Sequence, residues 1–222
     1  MYLREAILEN YLNEPTVTTP FDLSHLGSDL ENTPTLQTYS ISQVWCYRSG
    51  AHDFLMLQLY PPKDGATHMR EIWMRMERAP KAKIQSAALS SSRRFQAQDS
   101  YAMNYDYHVL MEGEGKKTKA VMVLSQFSGL SMNNIVDLVT TIRAVSSKWQ
   151  LLGTNCRWFC AVTLRALRDH FHGLDMMIGV TKGGLFEFRG DEGESANKVQ
   201  EQLVALLAKR RSEPRAASEH QF

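Results

Sequence analysis

Gly153-Thr154-Asn155-Cys156-Arg157-Trp158-Phe159-Cys160 opens a long apolar-periodic stretch that runs to Gly173. Asn155 is a favoured N-cap type, and Phe159, Val162, Leu164, Ala166, Leu167 and Phe171 recur behind it at roughly helical spacing. This spacing predicts a helix whose first turn carries Cys156. Unpaired backbone N–H groups and the positive end of the helix dipole favour a thiolate at such a position. A second reading stands beside this one: free cysteine is among the most buried residue types, and a thiol in an apolar stretch serves equally as a small core side chain.

The composition bounds the partners. A chain of 222 residues with 43% apolar content fits one domain with appendages and a real core. Its formal net charge is +1, which makes no electrostatic case for nucleic acid or an anionic membrane. Cys46, Cys156 and Cys160 form neither an even disulfide set nor a metal-ligand quartet. Residues 1–20 lack a secretory pattern and no apolar run approaches membrane-spanning length, so the expectation is a soluble, cytoplasmic protein with free thiols.

Working outward from the cysteine stretch, Tyr2 to Leu12 reads as a short helix ended by Pro15, and 16–37 as a polar covering arm rather than core. Tyr39 to Tyr47 alternates as a strand. His52 to Tyr60 is nearly continuous in apolar residues, like a central strand buried on both faces. Glu71 to Arg78 alternates again, which predicts an antiparallel partner placing Arg75 and Glu77 on the same face as His52. Tyr105 to Leu110 and Lys119 to Phe127 read as further strands, with Pro80 to Arg94 as loop. Ser131 caps a helix built on Ile135, Leu138, Val139, Ile142 and Val145. An apolar segment follows Gly173, then a turn at Gly183-Gly184, a short strand Leu185 to Phe188, an amphipathic helix Ser195 to Arg211 and a polar tail. The expected organisation is an arm over 1–38, an α+β domain over 39–190, a C-terminal helix over 191–211 and a tail over 212–222.

The segment Ile142 to Leu167, with Trp149, the pair Leu151-Leu152 and the box Asn155-Cys156-Arg157-Trp158-Phe159, resembles the Asn-Cys-x-x-Phe box of lecithin:retinol acyltransferase-like proteins. These are circularly permuted members of the NlpC-type, papain-like superfamily, in which the catalytic His precedes the Cys. The chain also resembles a fungal group with an Asn-Cys-x-Trp-Phe box. The likeness spans Tyr47 to about Phe171, with roughly thirty residues specific and the rest matching in element order. It implies an antiparallel sheet packed on the Cys-bearing helix, Cys156 as nucleophile and His52 as the catalytic imidazole. The family's third polar residue has no clear counterpart; Glu77 is the candidate, with Arg75 and Glu71 behind it.

A thiol, an imidazole to take its proton, helix-start N–H groups for an oxyanion and a carboxylate to orient the imidazole make a set suited to acyl transfer through a thioester. Water, an amine or an alcohol serves as acceptor, and the substrate expected is a small molecule or acyl group of hydrophobic character. The rival from another class is a non-catalytic ligand- or protein-binding module on the same fold. Cys160, one turn after Cys156, reads as a core thiol or as a resolving thiol, and Cys46 as core. His170 and His172 read as dipole-stabilised cations at a helix end, His68 and His108 have no spaced partners, and neither a metal nor a cofactor site is expected. Met56, Met74, Met76, Met122, Met176 and Met177 either line an adaptable pocket or fill the core.

Overall fold

In a computed structural model the chain is described over residues 5–15, 20–62, 69–81, 95–115, 117–150, 154–176 and 191–212. The Gly183-Gly184 turn, the strand expected at Leu185 to Phe188, His68, Met177, Leu151-Leu152 and the tail lie outside these residues. The chain folds as α+β. Helix α1 (Glu5–Leu12), strand β1 (Phe21–Asp22), a 3-10 turn (Leu23–His25) and helices α2 (Leu26–Glu31) and α3 (Pro34–Gln37) precede strands β2 (Ser40–Ser49), β3 (His52–Tyr60), β4 (Ile72–Pro80) and β5 (Phe95–Asn104). Helix α4 (Tyr107–Leu110), strand β6 (Lys119–Ser125), helix α5 (Met132–Val145), strand β7 (Lys148–Trp149), helix α6 (Cys156–Phe171), strand β8 (Leu174–Met176) and helix α7 (Asp191–Ser212) follow.

The described strands form one antiparallel sheet in the order β1-β5-β4-β3-β2-β6-β8, with β7 pairing the start of β5. β3 is central. Its continuous apolar run is explained by cover on both faces: Leu55, Leu57 and Leu59 join the large core with α5, α6 and α7, while Phe54 and Met56 pack with Ala102 and Leu110 on the other face. Register Leu55↔Met76 and Met56↔Arg75 puts His52, Phe54, Arg75 and Glu77 on that second face, as the alternation predicts. A bulge between Ile41 and Gln43 lets Ile41 and Val44 both reach the large core. Among the described residues no helix is long and apolar enough to cross a membrane.

Three expectations are corrected. Residues 20–37 are not a covering arm: Leu23, Leu26, Leu30 and Leu36 are almost wholly buried in the large core, because a polar background still leaves one leucine per turn for the sheet. The strand expected over Tyr105–Leu110 is instead β5, ten residues earlier, followed by α4. Asp106 stops the strand by accepting the His108 backbone N–H at 2.8 Å, starting a helical turn. Helix α7 begins earlier than Ser195 and is no appendage, since Ala196, Val199 and Leu203 are buried among core side chains. The core reading of Met56, Met74, Met76 and Met122 holds, each being fully buried.

Candidate functional site

The local sequence delivers the thiol as its periodicity predicts. Asn155 caps α6, its Oδ1 accepting the Trp158 N–H at 3.0 Å and its carbonyl accepting the Phe159 N–H at 3.0 Å. Of the first-turn donors, the N–H groups of Cys156 and Arg157 are used by neither bond. Thr154 steadies the approach by donating its hydroxyl to the Lys148 carbonyl at 2.6 Å. Cys156 is 8% exposed and its Sγ–H points at the Ala51 carbonyl, 3.9 Å away.

Ala51 belongs to the tight turn that joins β2 to β3, where Gly50 sits at φ 60°, a conformation L side chains rarely adopt. The turn puts His52 at the mouth of β3, at the end of the sheet reached by the start of α6. His52 Nε2 lies 3.1 Å from Glu77 Oε2, and Cys156 is near enough to act on the charge of the imidazole. The imidazole also stacks on Phe54, ring centroids 6.0 Å apart.

Electrostatics fix the protonation of this group. Burial pulls the His52 pKa down, but hydrogen bonds to Cys156 and Glu77 and their charges outweigh it and raise it from 6.5 to about 10. Burial acts on Glu77 in the opposite sense to its bonds: it pushes the carboxyl up, while His52 and Arg75 hold it down at about 2. Glu77 is thus an ionised acceptor and His52 an imidazolium at neutral pH.

Arg75 completes the cluster. Its Nη2 reaches Glu77 Oε2 at 2.7 Å and Glu114 Oε1 at 2.6 Å, its Nη1 reaches the Leu110 carbonyl at 3.0 Å, and its guanidinium lies 4.0 Å over the Phe54 ring. It immobilises the carboxylate that faces His52. Glu71, the other residue weighed for this place, accepts instead from Gln58 Nε2 at 2.8 Å, well along the strand pair from His52. A cavity of about 450 Å³ opens beside Glu77 and Arg75, walled by Ser100, Leu110 and the 112–114 turn.

The structure therefore brings Cys156, His52 and Glu77 together and leaves Cys46 and Cys160 behind them in the core. Burial raises the Cys160 thiol well above the ordinary cysteine value, with Cys46 and Asp53 adding to it, which does not suit a resolving thiol. A feature the sequence reading passed over is the buried pair Arg78–Asp99, Nε to Oδ1 2.7 Å, which lies under the start of α6 with the Arg78 guanidinium 5.3 Å from the Trp158 ring. Arg78 is also tied to the Ser146 carbonyl at 3.1 Å, so it joins β4 and β5 to the connection that leads to Cys156. Its only sequence sign is an arginine at an inward position of an alternating strand. No cluster of three or more His, Cys, Asp or Glu side chains able to hold a metal ion occurs among the described residues. Comparison with known proteins returned no match, whether to protein-family models, to characterised proteins or to solved structures.

Proposed function

We propose that this chain is a permuted papain-like, cysteine-dependent acyltransferase or amide/ester hydrolase, with Cys156 as nucleophile, His52 as general base and acid, and Glu77 as the group that orients His52. The observation that carries the reading is His52 paired with Glu77 at 3.1 Å and near enough to Cys156 for that group to act on its charge. In the reacting pair His52 carries the proton as an imidazolium and the Cys156 sulfur attacks the acyl carbon as the thiolate, the oxyanion being received by helix-start N–H groups. His52 then gives that proton to the departing amine or alcohol as the acyl–heteroatom bond breaks, leaving a thioester. Water, an amine or an alcohol next attacks the thioester carbon while His52 takes its proton, and the C–S bond breaks to restore the thiolate beside the imidazolium. Glu77, held by Arg75, keeps the imidazole in one orientation throughout.

The test is covalent trapping. With an activated ester such as p-nitrophenyl acetate, the enzyme is expected to release a burst of nitrophenol and gain one acetyl group on Cys156 by mass spectrometry, with no burst from Cys156→Ala. Iodoacetamide near neutral pH is expected to label Cys156 well before Cys46 and Cys160. Equal, slow labelling of all three cysteines, with no acyl adduct, would sink the reading and leave a binding module on this fold.

A further inference from the structure

At the far end of α6 from the thiol, basic side chains from two helix ends converge on one cavity. The end of α6 is shaped by His172 at φ 54° and by Gly173, where a Cβ would lie 2.4 Å from the Phe127 ring, so a larger residue would have to displace that ring. Ser128 closes this corner by donating its backbone N–H to the Phe171 carbonyl at 3.0 Å. The last turn of α7 is laid alongside and carries Arg210 and Arg211. Between them is a cavity of about 350 Å³ whose wall includes His170, His172, Arg210, Arg211, Asn134 and Ser128, and no carboxylate among the described residues.

Cations at helix C-termini are favoured by each helix's own dipole, so each basic residue alone is unremarkable in that place. Their convergence around one space is different. Like charges facing a shared cavity repel, and among the described residues of this wall Arg210 alone is paired with an acid, Asp137 Oδ1 at 2.6 Å, which also fixes its guanidinium. His170 is held through its Nε2 by Gln200 Oε1 at 2.8 Å, and beside it the buried Gln200 amide nitrogen has no partner among the described residues. Asn134 is held through Oδ1, which accepts from the Ser131 N–H at 3.0 Å, so its amide N–H groups are the part left for a ligand. The wall is thus rich in donors and positive in charge, which suits a multiply charged oxyanion. We propose that this cavity binds a phosphate group, as a soluble phosphate or pyrophosphate compound or as a phosphomonoester headgroup. Since α6 separates it from Cys156 by about 20 Å at 1.5 Å per residue, it is a site distinct from the thiol centre.

Isothermal titration of the full chain with pyrophosphate and with inorganic phosphate, at constant ionic strength set by sodium chloride, tests this. Saturable binding is expected for the native chain, at least about tenfold weaker in the double variant Arg211→Gln/His172→Asn. Both positions are exposed, asparagine tolerates the left-handed backbone at 172, and circular dichroism checks that the variant is folded. Co-sedimentation with phosphatidylcholine vesicles carrying phosphatidic acid separates the sources. Variant-sensitive vesicle binding identifies a headgroup, and soluble binding without vesicle binding identifies a free phosphate compound. Absence of saturable binding with every probe overturns the proposal, as does binding that the double variant leaves unchanged. Iodoacetamide labelling of Cys156 is expected to be equal in both proteins, so failure here does not bear on the thiol chemistry.

Discussion

His52 is the residue on which the proposed chemistry turns, and its charge is set by neighbours rather than by its own burial. Its pKa of about 10 depends on Cys156 and on Glu77, so Glu77→Gln is expected to lower it by about one unit or more, read from the His52 ring-proton titration by NMR. An unmoved titration would deny Glu77 its orienting role. The two shifts also set a stability window. A raised histidine pKa adds stability that is full below about 6.5 and fades as pH climbs to about 10; a depressed carboxyl pKa adds stability that is full above about 4.5 and fades as pH falls to about 2. The melting-temperature gap between native protein and Glu77→Gln is therefore expected to be widest between about pH 4.5 and 6.5 and to narrow on either side. Removing the imidazole, His52→Ala, is expected to slow Cys156 acylation by about 10²- to 10⁴-fold.

Helix α6 turns a sequence pattern into a placed thiol, and it depends on its cap and its underlay. Asn155→Ala removes the acceptor of the Trp158 N–H and is expected to cost about 1 kcal/mol in urea unfolding. It is also expected to slow iodoacetamide labelling of Cys156 as the first turn frays; unchanged labelling with lower stability would mean that the cap matters to the helix alone. Beneath that turn, Arg78→Met leaves Asp99 ionised and buried with its main partner gone, at an expected cost of about 3–5 kcal/mol. The double replacement Arg78→Met/Asp99→Leu is expected to recover much of that loss, because the desolvation of both charges disappears together. No recovery would show that the pair is held by geometry around it rather than by charge balance.

At the scale of the whole molecule, one core spans the sheet's helical face from residue 8 to residue 203. It unites segments that composition alone separates into arm, domain and appended helix. Leu36→Ala in α3 and Leu203→Ala in α7 are each expected to cost about 2–5 kcal/mol and to melt the protein in a single transition. Two transitions, or a loss under 1 kcal/mol at either site, would return those segments to the periphery. The second face of the sheet is smaller and more polar toward its end, which is where His52, Glu77 and Arg75 stay partly open to solvent.

Local pattern determined a good deal by itself. The caps at Asn155 and Ser131, the helices behind them, the buried strand His52–Tyr60 and its alternating partner are all written in residue spacing, because 3.6- and 2-residue periods are properties of the backbone. From those strands it also followed that Glu77 shares a face with His52. What spacing does not carry is contact between distant segments. The strand over 95–104 was hidden because its buried half carries the polar residues Asp99, Ser100 and Asn104, and the leucines of 20–37 because their helices are too short to show a period. Only the packing of α6 against β3 and β4 brings Cys156 to His52, from the opposite end of more than a hundred residues of chain. Strand alternation turns Arg75 and Arg78, three residues apart, to opposite faces, but only the tertiary packing supplies their partners, so that one holds Glu77 and the other lies beneath the thiol's helix.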